Sequence, residues 1–400
     1  MYIRSIELEN FRNYRRLDLE VEPSVNVFYG ANAQGKTNIL EAIYICTSTH
    51  SHRTSKDQEL ITHGEHMYKV KLKLTSSYNA YDESVSVIYT DGNEKNGDIS
   101  PSKRAKKTVC HDDVPYEKMS EYFGIFNAVI FAPEDLMLIK EGPSVRRKYL
   151  NVLLSQVKPM YFHELTTFAR LLMNRNRIIK NARIKNSKMI DSMTKEELSI
   201  WSEPMARAAA KIIRDRYLFS LRIDEFARKH HESISNGSET LFVKYKTCVP
   251  LDMLENYEED KVVEYLYQKW NDSIEDDFQH GITNFGPQRD DLQMSLDGDG
   301  LRMFASQGQQ RSAALSMKLA ELDVVREETK DYPVLLLDDV FGELDAQRRR
   351  CLLSEIGDAQ IFITCTDKSF IEQELVDSMT RDSKIAFFEV NKGNVTRVLK

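Results

Sequence analysis

Apolar and polar positions alternate over Tyr2–Leu8, and the stretch Val21–Tyr29 ends in an apolar run, Val25–Tyr29. Both patterns predict β-strands. Gly30 breaks the second strand, and Ile39, Leu40, Ile43 and Cys46 then share one side of a predicted helix. Alternation returns in Val70–Leu74 and Ser84–Tyr89, read as antiparallel strands. Asp91–Lys107 is polar, carries Gly92, Gly97 and Pro101, and reads as a loop. From Ser144 to Ser235 there is no glycine and the periodicity is helical. Within it Leu198, Trp201, Met205, Ala208 and Ile212 step by 3, 4, 3 and 4 residues, a coiled-coil-like seam. Pro204 is expected either to kink that helix or to open a new one. A strand at Thr240–Val249, helices at Val262–Trp270 and Gln307–Glu328, a strand at Val334–Leu337, a helix from Ala346 and a strand at Gln360–Thr364 complete the pattern. The predicted layout is an α/β lobe built from both chain ends, 1–125 together with 320–400. A mostly helical lobe, 126–319, is inserted between them.

The join between the second strand and the first helix carries the strongest chemical signal. Gly30-Ala31-Asn32-Ala33-Gln34-Gly35-Lys36-Thr37 matches GxxxxGK[ST] in the strand–loop–helix setting that a phosphate cradle needs. Backbone N–H groups of the loop and the helix N-terminus face the phosphates, and glycine lets the backbone approach them closely. Lys36 supplies a point charge at the β/γ-phosphates, and the Thr37 hydroxyl is an Mg²⁺ ligand of the right hardness. Val334-Leu335-Leu336-Leu337-Asp338-Asp339 is a buried strand ending in acids, a Walker B pattern with Asp338 as the expected Mg²⁺ partner. On its own this is equally the pattern of a strand closed by a turn-forming Asp. Ser306-Gln307-Gly308-Gln309-Gln310-Arg311 opens a long helix just upstream of it. Taken alone, that segment is also an ordinary N-cap with a polar first turn.

Composition narrows the partners. The chain has 400 residues, 41% of them hydrophobic, enough for two to three domains with cores. Lys plus Arg number 55 against 62 Asp plus Glu, a net charge of −7, so a nucleic-acid surface must be a local basic patch on an acidic body. No apolar run approaches the roughly 20 residues that cross a bilayer. The segment Met1–Glu7 has no apolar core of a signal peptide. The five cysteines are scattered without a CxxC pair, as expected of reduced thiols in a cytoplasmic protein. His50, His52, His63 and His66 cluster without zinc-ligand spacing. Between Thr166 and Ile190 stand Arg170, Arg175, Arg177, Lys180, Arg183, Lys185 and Lys188 with no acid among them. They read either as a DNA-backbone contact or as a solvated helix face. Lys103, Arg104, Lys106 and Lys107 form a second cluster, in the loop, and read either as a DNA contact or as a solubilising loop. Arg146-Arg147-Lys148 opens a helix, where cations oppose the dipole and call for a partner anion. Arg348-Arg349-Arg350 follows the Walker B region.

The order P-loop, long insertion, Ser-x-Gly-Gln, Walker B resembles the ATP-binding cassette (ABC) ATPases. Phe341-Gly342-Glu343-Leu344-Asp345 resembles their D-loop. The match narrows with Asn10–Tyr14, Thr37-Asn38 followed by Leu40–Tyr44, Ser51–Thr54, Pro133–Leu136, Gly142–Arg147, Gly286–Leu292 and Ala305–Arg311. These blocks span nearly the whole chain and resemble the RecF family of bacterial recombination mediators, an SMC-like branch of the ABC ATPases with a short insertion. The resemblance implies an α/β ABC/SMC-like P-loop head binding ATP and Mg²⁺. It implies an ATP-dependent homodimer in which Ser306, Gln307, Gly308 and Gln309 of one subunit face the nucleotide of the other. It also implies nucleotide contact by Arg12 and Gly30–Asn38, D-loop service by Asp345, binding to gapped DNA, and work with RecR and RecO to load RecA. Asp339 stands where most ABC enzymes carry Glu. A side chain one methylene shorter is expected to position water less well and to slow hydrolysis. The switch histidine of ABC enzymes falls near Thr366, which has no base to offer at neutral pH. No Q-loop glutamine is evident near Phe131–Glu134, and Gln288, Glu141 and Asn151 depart locally from the family's pattern. An ATP-gated DNA clamp with vestigial hydrolysis, or another soluble ABC-type ATPase, are the alternatives.

Overall fold

The computed structural model describes residues 1–75, 82–92, 105–185, 189–369 and 384–398. Lys103, Arg104 and Lys188 lie outside them. The alternating N-terminal strands form an antiparallel sheet of order β2-β1-β4-β5-β6-β7. Its strands are β1 (Tyr2–Phe11), β2 (Tyr14–Glu20), β4 (Met67–Thr75), β5 (Asp82–Thr90), β6 (Lys106–His111) and β7 (Val114–Pro115). Alternation marks a sheet wet on one face: Ile6, Leu8, Val70, Leu72, Val85 and Val87 are buried, while Glu7, Glu9, Lys71 and Lys73 between and beside them reach solvent. The stretch read as one loop ends in β6, so Lys106 and Lys107 are strand residues.

The second sheet, β15-β14-β3-β13-β12-β8, is parallel apart from its β14–β15 hairpin. It contains β3 (Val25–Tyr29), β8 (Ala128–Phe131), β12 (Val334–Asp338), β13 (Ile361–Cys365), β14 (Ile385–Asn391) and β15 (Asn394–Val398). Covered on both faces, β8, β12 and β13 are buried throughout, which explains their unbroken apolar sequences. One face (Phe28, Ile130, Leu336, Phe362) shares a core with helix α1 (Lys36–Ser48) and the antiparallel sheet. The other (Val27, Phe131, Leu337, Ile363) opens into the core of the helical lobe. Strand β8 places Ala128–Phe131 inside this sheet, so the boundary expected at 125 falls one strand too early.

The inserted lobe holds α2 (Met137–Lys140), α3 (Pro143–Val157), α4 (Pro159–Lys185) and the 44-residue α5 (Ser192–Ser235). It also holds α6 (Leu251–Glu255), α7 (Glu259–Asp272), α8 (Ile274–His280), α9 (Leu301–Phe304) and a small sheet of β9 (Leu241–Lys246), β10 (Asp291–Leu296) and β11 (Asp299–Gly300). Helix α5 runs on through Pro204 and no new helix starts there. Its seam residues Leu198, Met205, Ala208 and Ile212 are buried. Helix α10 (Gln307–Thr329) returns the chain to the ATPase lobe and crosses the boundary expected at 319–320. α11 (Val340–Glu343) and α12 (Ala346–Glu355) follow.

Candidate nucleotide-binding site

The loop Gly30–Gly35 leaves the C-terminal end of β3 and enters α1. Gly30 has φ +148° and lies under Val390, whose carbonyl oxygen would stand 2.4 Å from a Cβ. Gly35 has φ +114° and is packed against the side chains of Asn13 and Tyr14. No other residue type fits these two positions. Two hairpin turns brace the loop from outside. Asn13 Nδ2 donates to the Gln34 carbonyl (3.0 Å) and Tyr14 Oη to the Gly35 carbonyl (3.1 Å). The Lys392 and Gly393 N–H groups donate to the Gln34 side chain (2.8 Å) and carbonyl (3.1 Å).

This loop, the ends of β12 and β13, and the segment 53–63 enclose a cavity of about 680 Å³. Asn32, Ala33, Gln34, Gly35, Lys36, Thr37 and Asn38 line it, with Asp339 and Arg12. Lys36 Nζ donates to the Gly30 and Ala31 carbonyls (2.6 and 2.9 Å), which hold the ammonium inside the loop's curve. Burial pulls its pKa down, and Asp339, Cys365 and Asp338 pull it back up. The neighbouring Cys365 thiol is pushed up by burial to about 12 and stays protonated. Thr37 Oγ1 donates to Asp338 Oδ1 at 2.8 Å, joining residues 301 positions apart. Burial raises the Asp338 pKa against the lowering effect of its bonds from Thr364 and Thr37. A cation at this point would relieve that carboxylate.

Arg12, expected to contact nucleotide, reaches the cavity wall already braced. Its Nε and Nη2 clasp the buried Glu41 carboxylate (2.9 and 2.8 Å) and Nη1 donates to the Glu59 carbonyl (3.0 Å). Glu41 also accepts from Ser51 Oγ (2.5 Å) and Arg53 (3.4 Å), so one carboxylate on α1 orients two cavity arginines. Burial alone would raise the Glu41 pKa; hydrogen bonds from Arg12 and Ser51 outweigh it and keep the group ionised. Sequence reasoning gave Arg53, Glu41, His63 and Thr364 no role. A Glu within the otherwise apolar stretch Ile39–Cys46 of α1 was the available signal, because only a paired carboxylate tolerates such burial.

Ser306 caps α10: its Oγ accepts from the Gln309 N–H (3.2 Å) and the Gln309 side chain accepts from the Ser306 N–H (2.7 Å). Ser306, Gln307 and Gly308 are exposed, and none of them lines this cavity. Helix geometry leaves the Gln307 and Gly308 N–H groups without intrahelical partners. Arg348 ties this turn to the segment at Asp345, donating to the Gly308 carbonyl (3.3 Å) and Ser312 Oγ (2.6 Å) and pairing with Asp345. Asp345 in turn caps α12.

The basic residues of α4 divide. Arg170, Arg177, Lys180, Arg183 and Lys185 are exposed. Arg175 is buried, with Nη1 on Asp277 Oδ2 (2.6 Å) and Thr283 Oγ1 (2.6 Å), so it does not reach a DNA-facing surface. Phe168, Leu171, Arg175, Ile179 and Ala182, at steps of 3 and 4 residues, form the buried face of α4 against α5 and α8, which the charge count alone does not register. The cations at the start of α3 likewise have an internal partner: Arg146 clasps Asp291 (2.7 and 2.9 Å). Gln288 donates to the Phe285 carbonyl (2.8 Å) and Asn151 accepts from Tyr161 and Arg216, so both departures are local packing.

The family described as RecF/RecN/SMC N terminal domain matches residues 2–387. A curated relative from Acetivibrio thermocellus, "DNA replication and repair protein RecF", is 41% identical over 373 residues, covering 93% of this chain and 95% of the relative. The chain belongs to the RecF family. A RecF relative of Bacillus cereus (strain G9842) is 40% identical over 95% of this chain and 96% of its own. A solved RecF–ATP structure, described as the recombination mediator protein in the RecFOR pathway, superposes with a TM-score of 0.85 at 33% identity, covering 100% of this chain and 98% of its own. An Smc head from Pyrococcus furiosus, 14% identical with a TM-score of 0.51 over 99% of this chain and 96% of its own, shares the fold. The RecF fold here is therefore the SMC-like ABC ATPase head. No helix among the described residues is long and apolar enough to cross a membrane.

Proposed function

We propose that this RecF-family chain is an ATP-dependent DNA-binding protein of recombinational repair and replication restart. It closes as a homodimer around two ATP molecules, binds gapped DNA, and acts with RecR and RecO to load RecA. One observation carries the reading. The loop residues Asn32–Asn38 line the cavity, while the start of α10 is exposed outside it. A second copy brings those exposed N–H groups and the helix dipole to the γ-phosphate.

Lys36 and the loop N–H groups bind and orient the triphosphate. Thr37 Oγ1 and Asp338 Oδ1, hard oxygen donors 2.8 Å apart, fit Mg²⁺. A magnesium ion held by these two residues would supply charge neutralisation at the transferring phosphoryl oxygens. Asp339, exposed at the cavity edge, orients the attacking water, and its short side chain keeps turnover slow. Hydrolysis reopens the dimer. The exposed basic side of α4, with Arg170, Arg177, Lys180, Arg183 and Lys185, follows the DNA backbone without reading bases.

Ser306→Arg tests the assembly. ATP binding is expected to remain while ATP-dependent dimerisation, read by sedimentation, disappears. A variant that still dimerises with ATP refutes the cross-subunit role. DNA gating is tested by affinity for gapped duplex at fixed salt with and without ATP and Mg²⁺; equal affinities refute the switch. The shortened Asp339 also favours a second reading, a clamp with vestigial hydrolysis. Multiple-turnover phosphate release that Lys36→Ala abolishes would exclude it.

A further inference from the structure

Asp338, the last residue of β12, and Asp339, the first beyond it, are assigned different roles in the reaction, yet they are consecutive, and consecutive side chains of an extended strand point to opposite faces. Here the backbone departs from the strand. Asp339 has φ 53° and ψ 18°, the left-handed region that L-residues avoid. Something must hold the peptide in that turn. The register pairs Asp338 with Thr364 on β13. The buried Thr364 hydroxyl accepts the Asp339 N–H at 2.9 Å and donates its own proton to Asp338 Oδ1 at 2.7 Å. One hydroxyl thus binds both acids, one through its backbone and one through its carboxylate. Thr364 also lines the cavity beside Asp339 and Thr37.

We propose that Thr364 is a positioning residue: its hydroxyl locks the peptide between Asp338 and Asp339, so that Asp338 turns to Thr37 and Asp339 turns to the water that attacks the γ-phosphate. This rests on the ATPase reading given above. Thr366, near which the ABC motif order puts a switch residue, is exposed in the bend after β13 and does not line the cavity. Thr364 works from behind the acids and needs neither a proton-transfer role nor a contact with nucleotide. Without the hydroxyl, the Asp339 N–H loses its partner and the peptide is free to relax toward an extended conformation, which swings the Asp339 carboxylate away from the water.

Thr364→Val keeps the shape and removes the hydroxyl; Thr364→Ser keeps the hydroxyl. Steady-state ATP hydrolysis, affinity for a fluorescent ATP analogue and the thermal midpoint would be measured on the full chain. The expected result is a kcat lowered on the order of 10–100-fold in Thr364→Val, with nucleotide affinity within about twofold, and recovery to within about threefold of the parent in Thr364→Ser. Adding Thr364→Val to Asp339→Asn is expected to cost little more, because the two changes remove one function. A parent-like kcat in Thr364→Val, failure of Ser to restore it, or losses that multiply in the double variant would each overturn the positioning role. A purely structural threonine would instead lower the thermal midpoint and nucleotide affinity together with kcat, which also overturns it. If Asp339→Asn alone keeps the parent kcat, the assignment of Asp339 fails first, and the inference with it.

Discussion

Arg175 and Arg177 stand two residues apart on α4 and carry the same charge, yet their removal should do opposite things. Arg175 and Asp277 both have fully buried side chains, with Nη1 on the carboxylate at 2.6 Å and Nη2 on the Trp270 carbonyl at 3.1 Å. Burial pulls the guanidinium pKa down and Asp277 pulls it back up, so the pair survives as a pair. In Arg175→Met the apolar stem remains and Asp277 keeps the Asn284 N–H (2.8 Å) and a long bond from Ser273 (3.4 Å). It is then a buried carboxylate without a counter-charge, a loss of about 3–5 kcal/mol. If the helical lobe melts as a unit, this is a fall of roughly 6–20 °C in its thermal midpoint, at about 2–4 °C per kcal/mol. Adding Asp277→Leu removes the orphaned charge and should recover about 2 kcal/mol or more. Arg177→Ala should leave the midpoint within about 1 °C, weaken DNA binding, and reduce the slope of log affinity against log salt by about 0.9. Thermal and urea unfolding, with DNA titrations at three salt concentrations, read both arms. Refutation is an Arg175→Met protein as stable as the parent that has lost as much DNA affinity as Arg177→Ala.

Three further outcomes follow from the site and its surroundings. Lys36→Ala should abolish multiple-turnover phosphate release while leaving the far-ultraviolet circular dichroism spectrum unchanged. Gly30→Ala should abolish binding of a fluorescent ATP analogue, because its Cβ would stand 2.4 Å from the Val390 carbonyl oxygen, a backbone atom with nowhere to go; parent-like affinity would contradict the brace. Burial lowers the His52 pKa from 6.5 to about 4, against the attraction of Glu41. The unfolded chain therefore binds that proton first, so stability is lost as pH falls from about 6.5 and the loss levels off near 4, costing about 2 kcal/mol by pH 5. Burial raises Asp135 from 3.8 to about 6, which acts in the opposite direction over the same window. The test is thus the difference in urea midpoint between parent and His52→Gln at pH 5 and pH 7.5; equal differences at both would contradict it.

The sequence alone was sufficient wherever local structure rests on contiguous backbone. A phosphate loop is eight consecutive residues between a strand and a helix, so Gly30–Thr37 was legible, and so was the capped turn at Ser306. Apolar runs against alternating runs separated the doubly covered strands β12 and β13 from the half-wet β4 and β5. Strand β8 was assigned to the wrong lobe, because four apolar residues do not say which sheet they enter until β12 pairs with them. The choice between Arg175 and its exposed neighbours was not legible either: charge is local, but burial is set by the packing of α7 and α8, about a hundred residues downstream. Thr364 meets Asp338 only because β12 and β13 pair in one register; a slip by one residue would turn its hydroxyl to the opposite face. Local covalent order thus determined which motifs the chain carries. Strand pairing and helix packing decided which side chains reach it, because contacts across hundreds of residues depend on register and burial, and neither is written at any single position.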